Sequence, residues 1–183
     1  MRARMPKKPW NLLRPGGSAA AMLLVALAAA GCGEPMEVAS QWGPGLRFSE
    51  TTRSYAWMPD AQRATREGRP VNPKGDELIR QLTEKHLALK GYEKAGSGTP
   101  DFLIDYWAGK RTRGESAYTE GYRQFTEGSL ALFAYNPADS KEIWRGVLRT
   151  AMDSAAPPEK QVERLDQAIK MILDQLPSRK PVK

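Results

Sequence analysis

Apolar residues change their spacing several times along the chain, and each change predicts an element. Residues 18–30 are an uncharged run of small and apolar side chains, after which Gly33 to Leu46 holds Pro35, Gly43, Pro44 and Gly45 with no apolar period. That second stretch reads as a tether. In "RSYAWMP" (53–59), Tyr55 and Trp57 alternate with Ser54, Ala56 and Met58 until Pro59 stops the run, which predicts a strand. Residues 59–75 are polar and contain three prolines, so they read as a loop. Leu78, Ile79, Leu82, His86 and Leu89 then recur at spacings of three and four, predicting a helix from a cap at Asp76 to Lys90, with Gly91 beyond its end.

"DFLIDYW" (101–107) alternates again, with Phe102, Ile104 and Tyr106 on one face and Leu103, Asp105 and Trp107 on the other. Residues 108–128 are polar and glycine-rich and predict a long loop or an irregular hairpin end. "SLALFAYN" (129–136) is a nearly continuous apolar strand, "NPADSKE" turns the chain, and residues 143–152 return antiparallel. After Pro157 and Pro158, Val162, Leu165, Ile169, Ile172 and Leu176 mark a helix over about 159–175. The order is β-α-β-β-β-α. It predicts the α+β class: a two-layer sandwich of a mostly antiparallel sheet with two helices on one face. The expected organisation is a leader (1–31), a tether (32–46), one domain (47–178) and a short tail (179–183).

Charge sharpens the reading of the first segment. The chain has a formal net charge of +7. Residues 1–31 hold Arg2, Arg4, Lys7, Lys8 and Arg14 and no acid, which leaves 23 basic against 21 acidic side chains in the rest. The excess therefore belongs to the leader and says little about nucleic acid as a partner. A basic start, an apolar run and the small residues Ala29, Ala30 and Gly31 form a secretory signal. The apolar run, about 13 residues, falls short of the about 20 that span a bilayer.

The only cysteine, Cys32, follows at once. Small residues leading into such a cysteine resemble a bacterial lipobox, in which the thiol is joined to diacylglycerol and the signal is cut just before it. Ala29 stands where leucine is favoured. The resemblance implies a new N-terminus at Cys32 carrying fatty acyl chains such as palmitate. Each buried methylene contributes roughly 0.8 kcal/mol, and two or more chains hold a protein stably on a membrane. Lipidation also disposes of an otherwise awkward lone thiol in an exported chain. Gly33 rather than aspartate after the cysteine implies an outer-membrane destination, with the domain facing the periplasm.

Larger stretches carry a second resemblance. "FSETTRSYAW" (48–57), "HLALKGYEKAGSGTPDFLIDY" (86–106), "EGSLALFAYNPADSKEIWRG" (127–146) and "AIKMILDQLP" (168–177) are similar, in order and spacing, to lipoproteins of domain of unknown function family 4136. The family's opening acidic motif is replaced here by "QWGPGLRFSE" (41–50). The resemblance implies a bacterial, lipid-anchored protein with no established reaction, and it carries over no catalytic residue.

The residues themselves do not gather into an active site. His86 is the only histidine and lies on or beside a helix stripe, as a packed or edge histidine would. One histidine and one consumed cysteine argue against a zinc site, while a carboxylate-only metal site stays open. Asp101 and Asp105 share a strand face but lie about 13 Å apart by strand rise, too far for a glycosidase pair. No glycine-rich phosphate loop precedes a helix and no Gly-x-Ser-x-Gly elbow is present.

What remains is recognition. Trp144 and Arg145 point to opposite faces, with Arg145 and Arg149 forming a basic row on the open one. Residues 108–128 mix Arg111 and Arg113 with Tyr118 and Tyr122, residue types common at interfaces. The expectation is a lipid-anchored periplasmic binding or assembly module without chemistry or cofactor of its own, meeting an envelope partner through Arg111, Arg113, Tyr118, Tyr122, Arg145 and Arg149. The alternatives are a small-ligand carrier, which an apolar cavity would favour, and an envelope hydrolase, which a cluster of Asp101, Asp105 and His86 would favour.

Overall fold

The computed structural model describes residues 36–60, 62–63, 72–117, 121–153 and 155–179, with side chains at 112–117 and 121–125 left aside. One mixed sheet of six strands, in the order β1-β6-β5-β4-β2-β3, carries two helices. The strands are β1 (Met36–Trp42), β2 (Ser54–Trp57), β3 (Glu93–Lys94), β4 (Phe102–Ala117), β5 (Gly121–Tyr135) and β6 (Glu142–Met152). The helices are α1 (Pro73–Leu89) and α2 (Pro158–Leu173). Strand β2 runs parallel to β3 and β4, and every other pairing is antiparallel. The α+β expectation holds.

Five elements differ from the reading of the sequence, one of them the two-residue strand β3 (Glu93–Lys94), which it did not place. Residues 36–42, read as tether, form edge strand β1 on β6, with Met36, Val38 and Trp42 opposite Thr150, Leu148 and Trp144. Residues 108–117 and 121–128, read as a long loop or an irregular hairpin end, continue β4 and β5 as one regular ladder from Leu103↔Tyr135 to Ala117↔Gly121. Helix α1 begins about one turn before Asp76: Asn72 caps it, its side chain accepting from Lys74 N at 3.0 Å, and Pro73 takes the first helical position.

Alternation along β4 sorts the sheet into two faces. Phe102, Ile104 and Tyr106 join Leu130, Leu132, Trp144 and Leu148 under the helices, against Ile79, Leu87, Ile169 and Ile172. Leu103, Tyr135 and Met58 form a smaller cluster on the opposite face. The Trp144-Arg145-Gly146 triplet shows why each type sits where it does. Trp144 is fully buried and Arg145 is exposed, while a Cβ at Gly146 would stand 2.6 Å from Ile172 Cγ2, so glycine lets α2 approach β6.

One end of the helix-covered face is closed by rings. Phe102 has Phe48, Tyr92 and Tyr55 at centroid distances of 4.7, 5.7 and 5.9 Å, and Trp42 links Phe48 to Trp144. The C-terminal segment seals this end: Tyr92 Oη donates to Pro177 O at 2.9 Å, and Arg179 N donates to Lys90 O. The Arg179 guanidinium stacks 5.5 Å from the Tyr92 ring, so Arg179 belongs to the fold. Gly91, at φ +84°, turns the chain out of α1 and leaves room for the Arg179 carbonyl, which a Cβ would meet at 2.5 Å.

Candidate functional site

The residues singled out in the sequence fall into three groups. Cys32 and Tyr118 lie outside the described residues. Arg111, Arg113 and Tyr122 lie on the β4–β5 hairpin, opposite Glu127, Phe125 and Ser116. Arg111 is exposed and forms an ion pair with Glu127 at 3.4 Å. Arg145 and Arg149 are exposed on β6, facing away from the helices, where Arg145 pairs with Glu142 at 3.0 Å and Arg149 sits opposite Glu37 of β1.

The hairpin outruns its neighbours. The last β2–β4 rung is Trp57↔Ile104 and the last β5–β6 rung is Thr126↔Met152. From Arg113↔Phe125 to Ala117↔Gly121 the two strands continue as a ribbon, about 17 Å long by strand rise. Among the described residues, no strand pairs with either edge there.

Asp101, Asp105 and His86 are each committed separately. The Asp101 carboxylate accepts from Arg53 N and Ser54 N at 2.8 Å and from Ser54 Oγ at 2.9 Å, fastening the start of β4 to β2. The Ser54 N–H leads the bonds that hold Asp101 below the usual carboxylate range. His86 is buried and its Nε2 meets Asp166 Oδ1 at 2.8 Å, with Lys85 Nζ at 3.1 Å from the same oxygen, a polar clamp between α1 and α2.

Asp105 belongs to a lock that the sequence did not reveal. It is 1 % exposed, and Arg63 Nε donates to it at 2.9 Å. Arg63 also bonds Asp60 at 3.1 Å and lies 4.0 Å from Asp76. Tyr106 Oη donates to Asp76 at 2.5 Å, and Arg80 reaches the other Asp76 oxygen at 2.9 Å. Burial alone would raise the Asp76 pKa; the Tyr106 hydroxyl and the two arginines outweigh it and hold it low. Burial, reinforced by Asp76, pushes the Tyr106 phenol well up. Two arginines, Arg63 and Arg80, bridge Asp60, Asp76 and Asp105, so the cluster fastens the segment after β2 to the sheet edge and to α1. No grouping of three or more metal-ligating side chains occurs among the described residues.

The second feature missed in the sequence is a cleft of about 520 Å³ at the opposite end from the rings. Leu78 and Ile79 of α1 and Val162, Leu165 and Ala168 of α2 form its walls. Its floor is Ala108, Gly128, Leu130 and Leu148. Met152 and Val162 lie there with 45 and 40 % of their surface exposed. Polar groups line it as well: Arg164 Nη2 donates to Thr150 Oγ1 at 2.9 Å and to Ala151 O at 3.3 Å. The nearby Asp153 accepts from Ala155 N at 2.9 Å. No helix among the described residues is long and apolar enough to cross a membrane.

No curated protein sequence matches the chain. Among solved structures, a PDZ domain protein from Parabacteroides distasonis is 13 % identical with a TM-score of 0.50, covering 81 % of this chain and 37 % of its own. A PelC dodecamer from Paraburkholderia phytofirmans is 11 % identical with a TM-score of 0.48, covering 79 % of this chain and all of its own. A minor lipoprotein from Acinetobacter baumannii is 9 % identical with a TM-score of 0.35, over 72 % of this chain and 98 % of its own. The model of the domain of unknown function DUF4136 matches residues 38–178, from the second third of β1 to the turn after α2, and the chain belongs to that family.

Proposed function

We propose that the chain is an envelope lipoprotein, held at the outer membrane by lipid on Cys32, whose periplasmic domain is a non-catalytic binding or assembly module. The observation that carries the second half is the β4–β5 ribbon. Its edges offer backbone N–H and C=O groups to an added strand, a recognition mode in which the ladder supplies affinity and side chains supply choice. Arg111, Arg113 and Tyr122 belong to that hairpin, and Arg145 and Arg149 lie on the neighbouring β6. Cations of this kind suit a partner with acidic side chains.

Two measurements test the reading. Replacing Cys32 by serine should move the protein from the detergent phase to the aqueous phase on phase partitioning; unchanged partitioning overturns the lipid assignment. A photo-crosslinking residue at 118, 122, 145 or 149 in intact cells should give one discrete envelope adduct, and the same residue at Lys170 on α2 should give none. Equal yields from both sets overturn the partner surface. A second reading, a carrier of a small apolar ligand, is favoured by the cleft between the helices.

A further inference from the structure

Two of the three large hydrophobic side chains that stand exposed among the described residues, Met152 and Val162, line one cleft; the third, Leu89, lies elsewhere at 75 % exposure. Exposed apolar surface gathered in a concave site marks a place for an apolar partner rather than a random surface residue. At about 520 Å³, the cleft falls within the roughly 300–1,000 Å³ of small-molecule sites.

The backbone around the cleft decides against an extended peptide as occupant. On the floor, Gly128 and Leu130 are paired with Thr150 and Leu148 on one side and with Lys110 and Ala108 on the other. Those N–H and C=O groups are already used in the ladder. A buried extended peptide would bring its own N–H and C=O groups to a floor with nothing to offer them, each at the cost of an unmade hydrogen bond. A hydrocarbon chain brings none. Gly128 is where Met152 lies down on the sheet: a Cβ there would stand 2.7 Å from Met152 Cγ and Sδ, so a larger side chain has to push Met152 into the cleft.

Arg164, Thr150, Asp153, Gln161 and Ser129 also line the cleft, so an occupant meets polar groups there beside the apolar ones. Arg164 spends Nη2 on Thr150 and Ala151, and its guanidinium has further N–H donors on Nε and Nη1. No acid forms an ion pair with it among the described residues, although Asp153 also lines the cleft, its carboxylate tied to Ala155 N. A planar cation with donors to spare, on the lining of an apolar cleft, is suited to a carboxylate or phosphate. We infer that the cleft binds a single acyl chain with an acidic head, the chain lying between α1, α2 and the sheet and the head at Arg164. This rests on the carrier reading and adds to it the identity of both ends of the ligand.

The test uses the full chain in phosphatidylcholine vesicles carrying a diazirine-labelled hexadecanoic acid or the matching hexadecanol. After illumination, adducts are mapped by peptide mass spectrometry, with exposed Leu89 as the internal control for contact with lipid. The acid should label the peptides containing Met152 and Val162 about tenfold above the Leu89 peptide, a ratio equal to about 1.4 kcal/mol of preference. Gly128→Leu, which fills the floor, should bring that label down to the Leu89 level while the circular dichroism melt stays cooperative. Arg164→Gln should cut labelling by the acid about tenfold and leave labelling by the alcohol unchanged. Equal loss of both probes in Arg164→Gln, or none, overturns the acidic head and leaves the carrier reading standing. Labelling of the cleft by neither probe, or labelling that Gly128→Leu does not reduce, overturns both.

Discussion

Around Phe102, three aromatic rings pack within 5.9 Å and the C-terminal segment seals the edge. Around Gly128, at the other end of the same helix-covered face, Ala108, Ala151 and Ala156 line a cleft of about 520 Å³. The two ends share one sheet and one pair of helices. The difference lies in side-chain volume. Where α1 and α2 meet large residues from every direction, the layers close to crystal-like density; where the strands present glycine and alanine, they cannot. The closed end carries the stability and the open end is free to differ.

The largest expected effect follows from that contrast. Phe102→Ala should destabilise by about 3–5 kcal/mol, because it removes the ring on which three others pack. Leu165→Ala at the half-buried cleft wall should cost less than ~2 kcal/mol, below the range for a fully buried leucine. Urea unfolding midpoints measure both. Equal losses would mean that the two ends are packed alike.

Overfilling gives the next effect. A Cβ at Gly146 would lie 2.6 Å from Ile172 Cγ2 and 2.7 Å from the Trp144 ring, both held in the core. Gly146→Val should therefore cost about 1–3 kcal/mol by forcing α2 off β6. Thermal unfolding checks it, and an unchanged midpoint would show that the interface between α2 and β6 yields easily.

Much of the closed end was legible in the sequence, because its signals are local. Alternation placed Phe102, Ile104 and Tyr106 on one face, and the stripe through Ile169 and Ile172 placed α2 over them. Trp144 and Arg145 went to the expected sides. The open end was not legible. Gly128, Ala108, Met152 and Val162 are far apart in the chain, and a cleft is a property of their meeting. Val162 was read as the first residue of a core stripe; it continues the stripe onto the cleft and stands half exposed. Residues 108–117 and 121–128 were legible only as a long loop or an irregular hairpin end, because their sequence is polar and glycine-rich and lacks the apolar alternation that marks a strand. Strand β1 did leave a trace, with Met36, Val38 and Trp42 at even positions, but Ser40 and the adjacent Gly-Pro-Gly hid it. Nothing local could reveal that Arg63 matches Asp105, 42 residues away.

A smaller effect tests how the closed end is pinned. Asp101 is held below the usual carboxylate range by the N–H of Ser54 first, and also by Arg53 N–H and the Ser54 hydroxyl. A depressed folded-state pKa contributes stability above the unfolded value, about 3.9, and loses it as pH falls through the lower folded value. Because Asp101 is exposed, that contribution stays below ~1 kcal/mol. Asp101→Asn should show the full deficit near neutral pH and approach the parent as acid protonates the parent carboxyl. A gap in urea midpoints that stays constant across this range would exclude the carboxylate as its source.

The smallest effect is the most discriminating. Gly128 and Gly146 both lie on the helix-covered face, and a Cβ on either meets a neighbour at under 3 Å. At Gly146 the neighbours are a fixed ring and a buried isoleucine; at Gly128 they are the sulfur and adjacent carbon of the half-exposed Met152. A flexible thioether can move aside. Replacing a strand glycine also removes unfolded-state freedom, which favours the substituted chain. The two terms nearly cancel for Gly128→Leu, leaving a change within ~0.5 kcal/mol of zero or a slight gain. If Gly128→Leu instead loses as much as Gly146→Val in the same urea titration, the floor of the cleft is as tightly packed as the ring cluster, and the distinction between a filled end and an open end fails.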